Sequence, residues 1–297
     1  MLFLPLILLI ERGNNISNLI HPTAIIHKST SIGSNVSIGP YSVVEEDVII
    51  GNNCQIGNFV TICSDTTIGD ECTILHCSSI GEIPQDLKFE GERTQTIIGE
   101  RTKIREYVTI NRGTNALGQT KVGSDCLFMA SSHVAHDCIV GNHVIMSNLS
   151  TLGGHVVVGE WAVLGGGVLV HQFTKIGSHS FIGGGFRAVQ DVPPFILAAE
   201  HPLSYKGVNL VGLKRRGFSK QIIQELRKAY GLLFFTQDGT ISERIKEVSE
   251  DFSNNEPVME VVSFLTKEKS RSICKPKNVS YWLKAEYEFK SYLKLNN

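Results

Sequence analysis

Residues 20–62 read IHPTAIIHKSTSIGSNVSIGPYSVVEEDVIIGNNCQIGNFVTI. Every sixth residue from Ile20 is Ile or Val: Ile26, Ile32, Ile38, Val44, Ile50, Ile56 and Ile62. The run continues through Ile68, Ile74 and Ile80. It resumes at Ile98, Ile104 and Ile110, and again from Val122 to Ile182. Asp86, Glu92 and Ala116 interrupt it, which marks two insertions that loop out without losing the phase. A second column, two residues earlier, is small or β-branched: Ala24, Thr30, Val36, Ser42, Val48, Cys54 and onward. Glycine often follows the bulky residue, as at Gly33, Gly39 and Gly69.

A period of six is neither the 3.6 of a helix nor the 2 of a simple strand. It fits a parallel β-helix with three short flat strands in each turn of about 18 residues. The bulky residue fills the interior, and the small one shares that space near the corner. Glycine is expected to supply the backbone geometry of the corner. At the usual strand spacing, residues 20–190 make about nine coils and a prism roughly 45 Å long.

The hexads stop at Val192-Pro193-Pro194, where two prolines without N–H donors are expected to end the ladder. Ser219 then reads as a helix N-cap before Ile222, Ile223, Leu226, Ala229, Tyr230 and Leu233. A second helix uses Ile241, Ile245, Val248 and Phe252, and a third begins near Pro257. The expected organisation is an apolar extension (1–19), a β-helix (20–192), a helical domain (193–274) and a C-terminal extension (275–297). The helices would cover the open edge of the prism.

Composition narrows the function. With 28 basic and 29 acidic residues among 297, the chain has no strong single-sign field, which argues against nucleic acid as a partner. Seven cysteines without a CxxC pair do not make a disulfide scaffold or a zinc ribbon. Cys54, Cys72, Cys126 and Cys138 fall in the small-residue column, which reads as structural burial. The opening MLFLPLILLI is too short to span a bilayer and has no basic residue before it. It reads as an apolar tag, not a stable transmembrane segment.

Five histidines crowd one stretch: His133, His136, His143, His155 and His171. On an 18-residue coil, His136, His155 and His171 come close to one angular position, with His133 a step away on the same strand. His143 falls on another face. Such a cluster suits general-base catalysis, since a neutral imidazole accepts a hydroxyl proton at neutral pH. It also suits a metal site, because imidazole is a common ligand. In the first insertion, Asp86 and Lys88 offer a carboxylate and an ammonium to a polar ligand. Lys214-Arg215-Arg216 suits a phosphate or an acidic protein.

Several stretches carry a resemblance: IHPTAII (20–26), IGEIPQDLKFEGE (80–92), IREYVTINRGT (104–114), HVAHDCIVGN (133–142), VHQF (170–173), VQDVPPF (189–195) and GLKRRGFS (212–219). In their order and spacing the chain resembles the acyl-carrier-protein-dependent UDP-N-acetylglucosamine O-acyltransferases of lipid A biosynthesis. The resemblance covers roughly residues 19–270. It implies a left-handed parallel β-helix with a C-terminal helical domain, assembled as a homotrimer with active sites between subunits in the cytoplasm. It implies transfer of a 3-hydroxyacyl chain from acyl carrier protein to the 3-hydroxyl of UDP-N-acetylglucosamine, with no metal or cofactor.

By the same resemblance His136 is the general base and the Gly154 amide faces the oxyanion. Gln85, Asp86, Lys88, His133, His155, His171 and Gln172 would position sugar, phosphate or acyl chain. Asn209, Arg215 and Arg216 would hold the nucleotide or the carrier protein. Gly184 would leave the acyl groove open to a longer chain. Asp137 adjoins the base, but strand alternation points neighbouring side chains apart, so it is not expected to orient His136. Val211 departs from the Glu common in the family, and Glu200-His201 from a common Gly-Asn.

Other readings divide on cheap observations. A 3-amino sugar nucleotide as acceptor would give an amide. The N-acyltransferase of the same pathway carries an extra N-terminal domain, for which 19 leading residues leave no room. A γ-carbonic-anhydrase-like enzyme needs three metal-binding histidines, and the His133-x-x-His136 spacing does not match that class. A structural or ice-binding solenoid would show Thr or Ser columns on an outer face, where this chain stacks histidines.

Overall fold

A computed structural model describes residues 18–236, 239–267 and 271–277. The apolar decapeptide at the start and most of the C-terminal extension lie outside the described residues.

The hexads form a parallel β-helix of three sheets. The first has eleven strands and begins with Leu19–Ile20. The second has nine and begins with Ile25–Ile26. The third has eight and begins with Ser31–Ile32. Each strand pairs with its counterpart one coil away, so Ile20 lies beside Ile38, Ile38 beside Ile56 and Ile56 beside Ile74. The hexad residues therefore stack in interior columns. From Ile38 to Ile182 every bulky member is at most 4 % exposed. Cys54, Cys72, Cys126 and Cys138 are buried among them, where desolvation raises the thiols of Cys126 and Cys138, the latter to about 12.

The glycines after the bulky residues have a different role from the one expected. The left-handed backbone of each corner belongs to residues two positions later, mostly not glycine: Asn35 has φ 57°, Asp137 58° and His155 61°. At Gly33, an added Cβ would lie 2.8 Å from the Asn52 amide of the next coil. Glycine is needed there for the close approach of coil to coil.

Both insertions leave the prism at one corner, between the second and third sheets. The first runs from Ser79–Glu82 to Gln95–Ile98, and the second from Thr109–Asn111 to Gln119–Val122. Ile68 pairs with Ile98 and Ile98 with Val122, 30 and 24 residues apart in place of the usual 18, so the insertions add 12 and 6 residues, both multiples of the hexad, and the phase survives.

The prolines do not end the ladder. Val192 bridges to Ile176, and Ile196–Ala199 adds a further strand parallel to Phe181–Ile182. Ser204–Val208 then returns antiparallel to it. Pro193 and Pro194 occupy the corner before that strand, where no ladder N–H is required. The helices follow: α1 (Leu210–Arg215), α2 (Lys220–Phe235), α3 (Ile241–Asp251) and α4 (Glu256–Thr266). Ser219 caps α2 through its hydroxyl, and Thr240 with Glu243 forms a capping box on α3. α1 and the hairpin were not legible in the sequence, because neither is long enough to show a period. No helix of the described residues is long and apolar enough to cross a membrane.

Several contacts fasten the helices to the prism, among them two at buried or half-buried groups. The buried Tyr230 hydroxyl donates to the Pro194 carbonyl at 2.6 Å. Arg216 lies over the Trp161 ring at 5.3 Å and donates to the Trp161 carbonyl at 2.8 Å. Trp161 belongs to a column of stacked rings, His143, Trp161, His179 and Phe195, at the corner between the third and first sheets. Burial, reinforced by Arg216, pushes the His179 imidazole down to about 4. The unfolded chain takes up that proton first, near pH 6.5, so this contribution to stability is full above about 6.5 and is lost as pH falls toward 4. His179→Phe keeps the stack and should flatten that part of the slope in urea midpoints measured across this range.

Candidate active site

The corner that carries both insertions also carries the histidines. His133 lies in the strand His133–Val134 of the second sheet, whereas His136 and Asp137 form the turn that follows. His136 is thus not on the strand of His133. The expected divergence of His136 and Asp137 also fails, because strand alternation does not extend into a turn. With Asp137 at φ 58°, its carboxylate folds back to His136, and Nδ1 lies 2.8 Å from Oδ2. A carboxylate only accepts, so the neutral imidazole carries its proton on Nδ1 and leaves Nε2 bare.

Asp137 is fully buried and its carboxylate is saturated. Oδ1 accepts the amides of Thr114 (3.0 Å) and Leu117 (3.2 Å), and Oδ2 accepts the Thr114 hydroxyl (2.6 Å) beside His136. Burial alone would raise its pKa. The Thr114 and His136 hydrogen bonds outweigh that and hold it below the usual carboxylate value. On the other side of the ring, Asp86 of the first insertion brings Oδ2 to 4.0 Å from His136 Nε2.

The next coil supplies the remaining walls. Gly154 stacks over His136, and a Cβ there would fall 2.6 Å from both Cε1 and Nε2 of the ring. The Gly154 amide has no acceptor among the described residues, while its carbonyl receives the Phe173 amide. His155 meets His136 edge-on, with ring centroids 5.1 Å apart, and stacks on Phe173 at 4.5 Å. Burial pushes the imidazoles of His133 and His155 down, and at His155 the Asp137 carboxylate opposes it only in part. His133 is fixed by the Thr109 hydroxyl at 2.7 Å. Both rings therefore stay neutral at pH 7 and offer hydrogen bonds rather than charge.

Ligand atoms of His136, Asp137 and His155 lie within 4.8 Å of one another, the one such grouping among the described residues. Asp137 already takes four protein donors, one of them His136 Nδ1, so the set is arranged as a hydrogen-bonded relay.

Other expected residues sit further out. His171 follows the strand Leu169–Val170 of the second sheet, one place before the column of His136 and Gly154. It is exposed, with Nδ1 2.8 Å from Arg271 Nη2. Gln172 is exposed above Gly154, and Gln85 and Lys88 are exposed on the first insertion. Asn209, Arg215 and Arg216 belong to another corner. Asn209 caps α1 and donates to the His179 carbonyl, Arg216 is engaged with Trp161, and Arg215 is exposed. Val211 is exposed on α1. Gly184 packs against Gly165 and Gly166 at the third corner. One chain thus spreads the expected residues over all three corners and gathers Asp86, His133, His136, Gly154 and His155 at one. Sequence reasoning named Asp137 but set it aside on strand alternation, and it missed Thr114 and Leu117. Their one signal was the second insertion, which lies a coil below His136.

A family model described as UDP N-acetylglucosamine O-acyltransferase, domain 2, matches residues 191–274, and a bacterial transferase hexapeptide model matches residues 47–82. The acyl-[acyl-carrier-protein]–UDP-N-acetylglucosamine O-acyltransferase of Aliivibrio salmonicida is 49% identical over 229 residues, covering 77% of this chain and 87% of that protein. The chain belongs to that family. The UDP-N-acetylglucosamine acyltransferase of Francisella novicida superposes with a TM-score of 0.85 at 32% identity, over 88% of this chain and 96% of that one. The Bacteroides fragilis enzyme gives 0.83 at 39% identity, over 86% and 99%. The family membership sets the γ-carbonic-anhydrase and solenoid readings aside.

The contact between Gly154 and His136 generates a test. Gly154→Ala should displace the His136 ring and cut kcat about tenfold or more, the cost of losing one well-placed catalytic hydrogen bond. The thermal midpoint should move little. Steady-state kinetics beside a melting curve checks both.

Proposed function

We propose that this protein transfers a 3-hydroxyacyl chain from acyl carrier protein to the 3-hydroxyl of UDP-N-acetylglucosamine, the first step of lipid A biosynthesis, with His136 as general base. The observation that carries the reading is the oriented imidazole: Nδ1 is committed to Asp137, and Nε2 is bare on the side of the ring that Gly154 leaves open.

In this mechanism Nε2 takes the proton of the sugar hydroxyl as its oxygen attacks the thioester carbonyl. Asp137 stabilises the imidazolium that forms. The tetrahedral oxyanion would face the Gly154 N–H, a donor with no acceptor to give up among the described residues. Collapse breaks the C–S bond, and the imidazolium returns its proton to the departing thiolate of the carrier. These steps are supplied by a base, an oriented carboxylate and an amide. Asp86, Lys88, Gln85, His133, His155, His171 and Gln172 would contact sugar, phosphate and acyl chain around this centre.

The assembly follows from the spread over three corners. A convex corner forms only one wall of a cleft. A second copy that presents its own Gly184 and Arg215 corners would close the acyl groove and the nucleotide site, so a homotrimer with sites between subunits accounts for all the expected residues. Exposed Leu149, Leu169 and Phe173 supply apolar surface for such packing. The cytoplasm, where acyl carrier protein and the nucleotide sugar meet, is the compartment this chemistry requires.

Purified protein given UDP-N-acetylglucosamine and a panel of 3-hydroxyacyl carrier proteins should form the 3-O-acyl product with or without chelator. His136→Ala should abolish transfer while leaving the oligomer intact. Amide formation confined to a 3-amino sugar nucleotide would redirect the acceptor, and no transfer to either would remove the reading. Gly184→Met should shift the preferred acyl chain to a shorter length, read by mass spectrometry of the products; an unchanged profile would take Gly184 out of the groove.

A further inference from the structure

The second insertion has no direct access to substrate in the reading above, yet it is built with care. Thr114 and Leu117 give Asp137 three of its four hydrogen bonds. The segment is itself tied down. The Thr94 hydroxyl donates to the Gly113 carbonyl at 2.7 Å, the Gly118 amide to the Thr114 carbonyl at 2.7 Å, and the Asn115 amide to Glu92 at 3.1 Å. Thr94 and Glu92 belong to the first insertion, so the two insertions brace each other. At the root of both, Asn111 donates to the Ile83 carbonyl at 2.9 Å, and buried Arg112 donates to the Gly81 and Ser64 carbonyls.

A buried carboxylate with only His136 for a partner would carry a large desolvation cost and would tend to hold its own proton. A protonated Asp137 could donate to Nδ1, and the imidazole would then carry its proton on Nε2, where it cannot act as a base. The Thr114 hydroxyl prevents this most directly, because it shares Oδ2 with His136 at the shortest distance in the set.

We propose that Thr114 is a positioning residue for the reaction: its hydroxyl keeps Asp137 a pure acceptor and so fixes His136 in the tautomer with Nε2 bare. The second insertion is then a clamp on the base, one shell away from the substrate. This inference rests on the assignment of His136 as base for its kinetic consequence, but not for its structural one.

Thr114→Val removes the hydroxyl and keeps the shape, and Thr114→Ser keeps the hydroxyl. With Thr114→Val, kcat should fall about tenfold, the worth of one charge-assisted hydrogen bond, with KM for the nucleotide sugar unchanged. Thr114→Ser should retain most of kcat. The independent readout is the ¹⁵N spectrum of His136 in the intact protein, above the pH at which the ring protonates. The wild type and Thr114→Ser should report Nδ1–H, and Thr114→Val should report a population of Nε2–H. A Thr114→Val protein that keeps the Nδ1–H tautomer and its kcat overturns the proposal, as does a Thr114→Ser protein as impaired as Thr114→Val. If Thr114→Val does not fold, the serine variant and the wild-type tautomer decide, and an Nε2–H wild type overturns the clamp. Activity retained by His136→Ala would sink the base assignment instead, while the spectrum would still test the clamp.

Discussion

Everything in the molecule depends on coils lying flat upon one another at the spacing of a parallel ladder. At the corner between the third and first sheets neighbouring backbones then approach too closely for a side chain on the residue after the bulky one, which is why glycine recurs there from Gly33 to Gly177. The same stacking forces the interior columns of Ile and Val, since each coil must present a surface that its neighbours can cover. It also makes the outer surface periodic. Residues 18 apart sit one above another, so chemistry can be assembled from residues far apart in the chain but adjacent along the prism.

The histidine corner uses that property with an offset of one. Gly154 lies over His136, and His155 lies over Asp137. Small above large leaves a notch in the corner column, and the imidazole fills it. A repeat with a side chain at both positions would have had to turn the ring outward, away from Asp137. The notch therefore orients the His136 ring from above while Asp137 orients it from the side. Two independent constraints on one ring reduce the rotamer freedom that a histidine on a convex turn would otherwise keep.

The repeat was legible because a hexad is a geometric demand repeated many times, and each of its positions testifies to the same coil. The nearness of His136 and His155 was legible for the same reason, although His155 lies over Asp137 and not over His136. What could not be read lies where the period is silent. The hexads say nothing of which residue bends at a corner, and strand alternation misplaced Asp137, whose positive φ reverses the expected direction of its side chain. The prolines misled in the same way. Their chemistry was read correctly, but their place in a corner made the missing donors harmless. Thr114 and Leu117 were invisible, since a loop residue acquires its role only when the loop is folded against another coil.

The placement of both insertions at one corner now has a physical reason. A bare β-helix has smooth convex corners that can stack residues but cannot enclose one, and an exposed imidazole next to an exposed carboxylate would be solvated and mobile. The first insertion brings Asp86 to within 4.0 Å of Nε2, while the second seals Asp137 from water and supplies the donors that an anion so buried must have. Each would be of little use alone. Without the second, Asp137 loses most of its hydrogen bonds, and without the first, the second loses the Thr94 and Glu92 contacts that hold it. The insertions thus convert a corner of a repetitive scaffold into a site with an inside, and the six-residue phase survives them because they lengthen two coils from 18 residues to 30 and 24, by whole hexads.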